Sequence, residues 1–174
     1  IAFFCLLLGA QTHVSLIHAQ DIDFQNYVVT RFGMEEGLPQ SSVNDIIQTK
    51  DGYIWLATFG GLVRFDGNTF TTFDRSNTKG MRSDRILTLY EDHEGAIWLS
   101  TEDGIIRLLN GEYSSFVISQ ESQIFTKSKI LEDANNVLWL SINEKPYKFE
   151  EGSFVEVPVI KDKYATEKAI LNPG

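Results

Sequence analysis

An all-β fold of propeller blades is predicted by three observations. A tryptophan recurs at Trp55, Trp98 and Trp139, the residues around it recur with it, and short apolar runs alternate with glycine-bearing turns. The spacings between the tryptophans are 43 and 41 residues. A period of about 40 to 45 residues is the length of one four-stranded blade. The copies read IIQTKDGYIWLATFGGLVRFDGNTF, LYEDHEGAIWLSTEDGIIRLLNGEY and a looser ILEDANNVLWLSINEKPYKFEEGSF.

The chain opens on IAFFCLLLGA, an almost wholly apolar run that becomes polar through QTHVSLIHAQ. Residues 1–20 contain no Asp, Glu, Lys or Arg and read as a secretory signal peptide, incomplete at its N-terminus, cleaved near Ala19 or Gln20. The run is too short for a membrane-spanning helix. Cys5, the single cysteine, lies inside it, so the remainder has no disulfide framework and no thiol nucleophile. Phe4 stands where a lipoprotein signal takes a small residue, which argues against a lipid anchor.

Residues 21–160 form the expected partial propeller, with repeats at about 43–73, 86–117 and 129–157. The strand pattern Asn26–Phe32 reads as an outermost strand that would complete the last blade of a closed ring. First strands are expected at Val43–Thr49, Ile86–Asp92 and Lys129–Asp133, each ending in a tight turn. The tryptophan strands follow at Tyr53–Thr58, Ala96–Thr101 and Val137–Ile142. Ile54-Trp55-Leu56 and Ile97-Trp98-Leu99 are continuous apolar runs, which suits strands covered on both faces. Third strands are read at Leu62–Phe65, Ile105–Leu108 and Pro146–Phe149. Asp66-Gly67, Asn110-Gly111 and Glu151-Gly152 then supply hairpins into Thr69–Phe73, Glu112–Val117 and Ser153–Val157.

Copy three departs from the pattern. Asn135-Asn136 replaces the acid–glycine turn, a mild change because Asn tolerates the left-handed conformation. Lys145-Pro146 replaces a glycine and an aliphatic residue, and the lost N–H predicts an irregular or edge strand. Three blades are too few to close a ring, so the chain reads as the N-terminal part of a larger propeller. Residues 161–174 would be the start of a further blade or a tail.

These repeats resemble the two-component regulator propeller repeat. The likeness rests on Gly37-Leu38-Pro39-Gln40-Ser41-Ser42-Val43, Gly52-Tyr53-Ile54-Trp55-Leu56-Ala57-Thr58 and Gly61-Leu62-Val63-Arg64-Phe65 in copy one. Copy two matches at Asp92, Gly95, Ile97–Thr101 and Gly104–Arg107; copy three keeps Glu132-Asp133 and Leu138–Ser141. The resemblance covers roughly residues 28–157 and implies the periplasmic sensor region of a Bacteroidetes-type hybrid two-component histidine kinase. The kinase, its phosphorelay and any membrane span would lie in downstream parts. The partner class it implies is an oligosaccharide or another small molecule, with homodimerisation in the full-length receptor.

The chemistry-bearing residues favour recognition over catalysis. The net charge of −9 argues against nucleic acid or an anionic membrane surface as a partner of this segment. Lys127, Lys129, Lys161 and Lys163 could form a local basic patch but read as strand-edge and loop lysines. The tryptophans read as core; Tyr53, Phe59 and Tyr90 are the candidates for exposed stacking. Glycoside cleavage needs two carboxylates about 5 to 10 Å apart. Asp45, Asp84, Glu102 and Asp103 supply carboxylates without singling out a pair, so no catalytic residue is assigned. The turns at Asp51-Gly52 and Glu94-Gly95 only superficially resemble the Asp-boxes of sialidases. With His13 and His18 in the leader, His93 stands alone, and no transition-metal site or cofactor is expected. Loop carboxylates leave Ca²⁺ open. Inter-blade loops Gly33–Ser42, Asp74–Asp84 and Ser119–Ser128 are the expected place for recognition. The ligand itself is not named by the sequence, and a propeller glycosidase, a lyase or a purely structural propeller are the other readings.

Overall fold

The structure is a computed structural model that describes residues 29–118 and 128–158. The expected leader, the start of the expected closing strand, most of the loop 119–128 and residues 159–174 lie outside the described residues. The chain divides into two compact units, Ile1–Arg31 and Phe32–Gly174, and the blades belong to the second.

Twelve strands form three antiparallel four-stranded sheets among the described residues. Blade one holds β1 (Val43–Gln48), β2 (Ile54–Thr58), β3 (Gly61–Phe65) and β4 (Phe70–Phe73). Blade two holds β5 (Ile86–Glu91), β6 (Ile97–Thr101), β7 (Gly104–Leu109) and β8 (Glu112–Phe116). Blade three holds β9 (Lys129–Glu132), β10 (Leu138–Ile142), β11 (Lys145–Glu150) and β12 (Ser153–Glu156). Strands pair in simple sequence order, so each blade is a meander. Every strand lies within one or two residues of its expected place. The only helical element described is a 3-10 turn at Met34–Glu36.

Val29–Phe32, the described part of the expected closing strand, form no strand. An outermost strand pairs with a third strand, and β3, β7 and β11 are each already paired on both sides. Phe32 instead packs its ring on Phe65 and Phe70, at 5.2 and 5.3 Å between centroids.

Alternation along each strand sends neighbouring side chains to opposite faces, so one blade feeds two cores. Trp55, Ala57 and Leu62 of blade one meet Ile86, Leu89, Leu99 and Ile106 of blade two. Trp98 and Ile105 of blade two meet Leu138, Leu140, Ile142 and Tyr147 of blade three. Around Trp98 the rings of Phe116, Phe149 and Phe154 lie 5.6, 5.1 and 5.9 Å away. Trp55 and Trp98 are core residues, as the repeat implied, whereas Trp139 in β10 is half-buried.

Each tryptophan is also tied to the turn that precedes it. The indole N–H donates to the residue six positions earlier: to Thr49 Oγ1 at 3.2 Å, Asp92 Oδ2 at 2.7 Å and Asp133 Oδ2 at 2.9 Å. In blades two and three the second carboxylate oxygen accepts the N–H of Ala96 or Val137, closing the turn. The indole bond, with the Val137 and Asn135 N–H groups, holds the Asp133 carboxyl below its ordinary value.

Copy three corrects one expectation. Pro146 lies in β11, a central strand, not at an edge. Its carbonyl accepts from Val157 at 2.9 Å, so its missing donor faces the residue just beyond β12, where the ladder ends anyway. The turn before it also changes type. In blades one and two, Thr58 and Thr101 hydroxyls donate to the carbonyls of Gly61 and Gly104. Those glycines have φ of 128° and 145°, and a Cβ on Gly61 would sit 2.6 Å from the Phe73 carbonyl oxygen. Blade three uses Asn143 and Glu144, both at positive φ, as a two-residue hairpin turn, and Lys145 then needs no glycine conformation. Asn136, at φ 61°, fills the left-handed position held by Gly52 and Gly95, as anticipated.

Candidate functional site

Antiparallel order places each blade's 2–3 turn and its linker to the next blade at one end of the sheet. The 1–2 and 3–4 turns lie at the other end. The loop end therefore gathers Phe59-Gly60, Glu102-Asp103 and Asn143-Glu144 with the linkers 33–42 and 74–85.

At this end, on the seam between blades one and two, an aromatic ring, a guanidinium and a carboxylate meet. Phe59 is 37% exposed although its neighbours in β2 are buried. The Arg85 guanidinium lies 4.1 Å from its ring centroid, and Arg85 Nε donates to Glu102 Oε1. Arg85 comes from the end of the linker, just before β5 of blade two, Phe59 from the 2–3 turn of blade one and Glu102 from that of blade two. The Arg85 N–H is held by Ser83 Oγ at 3.2 Å. Behind it, Arg75 donates from Nε to Asp84 Oδ2 at 3.0 Å and from its backbone N–H to Asp84 Oδ1 at 2.7 Å, which closes the linker on itself. Asp103 is exposed beside Glu102. Such a surface offers a part-exposed aromatic ring, covered on one side by a guanidinium, together with charged donors and acceptors.

The sequence candidates divide between this seam and the scaffold. Phe59, Asp84, Glu102 and Asp103 lie at the loop end. Asp45 does not: its Oδ2 accepts the N–H of Leu89 at 2.9 Å, so it joins the inner strands of blades one and two. Tyr53 and Tyr90 are half-buried. The Arg64 guanidinium covers the Tyr53 ring at 4.6 Å, and Tyr90 Oη accepts the N–H of Glu132 at 3.2 Å. His93 sits on the opposite, turn end, with Nδ1 2.7 Å from Glu132 Oε1. Lys129 is an exposed residue of β9; Lys127, Lys161 and Lys163 lie outside the described residues. No cluster of three or more metal-ligating side chains is found among the described residues. Nor does any described helix have the length and apolarity to cross a membrane.

Arg85 was missed by reasoning from sequence. The signal was present: thirteen residues before the tryptophan, blade one has Ser42 and blade two has an arginine. A residue that breaks the repeat at a loop position is released from packing and is open to another role.

The three sheets, their seams and the repeated tryptophan define a segment of β-propeller. Residues 37–60 and 80–103 match the family described as two component regulator propeller. The histidine kinase P4 of Formosa agariphila is 40% identical over 83 residues, which cover 48% of this chain and 6% of that protein. An extracellular domain described as that of a hybrid two component system from B. thetaiotaomicron aligns with a TM-score of 0.61 at 23% identity. That alignment covers 74% of this chain and 20% of that chain. Virginiamycin B lyase from Staphylococcus aureus aligns with a TM-score of 0.54 at 13% identity, over 68% of this chain and 42% of that chain. The two structural likenesses establish the fold, and this chain spans less than half the length of each of these relatives.

Proposed function

We propose that this chain is the ligand-sensing propeller portion of a bacterial two-component receptor, exported to the periplasmic side of the inner membrane. It recognises a carbohydrate or similar polyhydroxylated small molecule and signals to a histidine kinase elsewhere in the receptor. The observation that carries this reading is the Phe59–Arg85–Glu102 arrangement on the loop end. Each of its three side chains comes from a different segment, two of them from opposite sides of a blade seam, so a ligand seated there contacts both blades. Binding would then favour one relative arrangement of blades, and a preference for one arrangement is what a receptor can transmit. The family match and the histidine kinase relative support the same assignment.

The segment itself acts by binding in this reading, and the receptor works as a homodimer. Calorimetric titration of the full-length receptor with a panel of oligosaccharides is the test. Binding that is lost in Phe59→Ala and Arg85→Ala, with folding intact, supports the site. An empty panel, or binding unaffected by both changes, overturns it. Turnover of a glycan by the same preparation would move the assignment to a propeller glycosidase or lyase.

A further inference from the structure

The turn end carries a second repeated device. Five residues before the tryptophan stand Lys50, His93 and Ala134. In the first two blades this residue is gripped by a glutamate of the following blade. The Lys50 N–H donates to both carboxylate oxygens of Glu91 at 3.1 Å, and Lys50 Nζ donates to the carbonyls of Asp92 and His93 at 3.0 and 3.1 Å. One blade further, the His93 N–H donates to Glu132 Oε2 at 2.9 Å while Nδ1 meets Oε1 at 2.7 Å. Glu91 and Glu132 occupy the same place, seven residues before their tryptophans. The backbone bond is the same at both seams, whereas the cation differs. A lysine stays charged through the neutral range and a histidine does not.

We propose that His93 and Glu132 form a proton-dependent clasp between blades two and three, while Lys50 and Glu91 hold the seam between blades one and two independently of pH near neutrality. The surroundings favour the imidazolium. Asp92 and Glu94 flank the ring in its own turn, and Glu94 is engaged by Arg107 Nη2 at 2.6 Å. Glu132 approaches from blade three; the Tyr90 hydroxyl sits on the Glu132 N–H, and the next residue, Asp133, is occupied by Trp139. Lys50 Nζ, which reaches the turn from blade one, lies on backbone carbonyls. The hydrogen bond to Glu132 raises the His93 pKa above 6.5, and the fields of Glu132, Glu94 and Asp92 act in the same direction against desolvation.

The sign follows from that direction. A histidine whose folded pKa is raised contributes its stabilisation fully below the unfolded value and loses it as pH rises through the folded value. Above that point the imidazole carries no charge, and Glu132 keeps the His93 N–H but no counter-ion. The seam between blades two and three therefore loosens on the alkaline side. This requires no ligand and goes beyond the sensing role proposed above.

Hydrogen exchange on the 174-residue chain tests it, at about pH 5.5 and about pH 8, either side of the ordinary histidine range, after correction for intrinsic exchange. Protection of β9 should fall several-fold at the higher pH, with protection of β5 unchanged. His93→Lys should copy the first seam and remove the difference while keeping β9 protected. NMR titration of the His93 ring should give a midpoint above 6.5 that falls in Glu132→Gln. Equal pH response of the two seams, a response that survives in His93→Lys, or a wild-type midpoint at or below 6.5 would each overturn the clasp.

Discussion

Blades one and two have nearly the same tryptophan strand, yet they live in different surroundings. Leu89 in β5 is 7% exposed, whereas Ile46, at the same repeat position in β1, is 59% exposed. Leu89 faces the Trp55 side of blade one, and Ile46 faces outward with no described blade against it. A blade is thus apolar on both faces by inheritance from the repeat, and its burial is set by its neighbours. Blade one covers part of its outward face with its own linker: Leu38 packs with Leu56 and Val63. Met81, in the equivalent linker of blade two, joins the core between blades. The same segment is a plug at an open face and a filler at a closed one.

The contrast between the two blades breaks most severely at the covered face. Leu99→Ala removes a fully buried side chain from the first seam and should cost about 3 kcal/mol, whereas Ile46→Ala should cost well under 1 kcal/mol. Urea denaturation of the two variants measures both, and equal losses would refute the account of the seams. Next in size is the turn contrast. Gly104→Ala places a Cβ against the Phe116 carbonyl at φ 145° and should cost about 2 kcal/mol. Lys145→Gly, at the matching position of blade three, should cost less than 1 kcal/mol. The same denaturation series reads the difference, and a cheap Gly104→Ala would show that the outer strand can yield.

Asp92→Ala leaves the buried Trp98 indole N–H unpaired and should cost about 1 to 3 kcal/mol. In blade three the corresponding effect has a pH signature. Asp133 has a lowered pKa, so its stabilisation is present above about 3.9 and is lost as pH falls through the folded value. Asp133→Asn should flatten that acid limb in a series of thermal melts, and an unchanged limb would mean that other carboxylates carry it. A modest effect is expected at Tyr90→Phe. It removes one half-buried acceptor from the Glu132 N–H and should cost about 0.5 to 1.5 kcal/mol in equilibrium unfolding.

Much of the scaffold was legible because its causes are local and repeated. The period located the blades, the glycine and asparagine turns located the strand ends, and the Ile-Trp-Leu runs predicted coverage on both faces. The misplacement of Pro146 arose because a proline's tolerance depends on which neighbour its missing N–H faces, and that is a property of register. The candidate site was half visible. Phe59, Asp84, Glu102 and Asp103 stand out as residue types, but nothing in their spacing joins them. Arg85 does not stand out at all, because an arginine before a strand is ordinary until the ring it covers is known.

What the sequence determined by itself is the blade, since a strand's alternation and a turn's backbone conformation are settled within a few residues of chain. What the tertiary structure alone decided is the seam. Phe59 and Arg85 are 26 residues apart, Asp45 and Leu89 are 44, and His93 and Glu132 are 39. Side chains at such separations meet only after two finished sheets pack face to face, so their pairing depends on blade geometry that no local preference encodes.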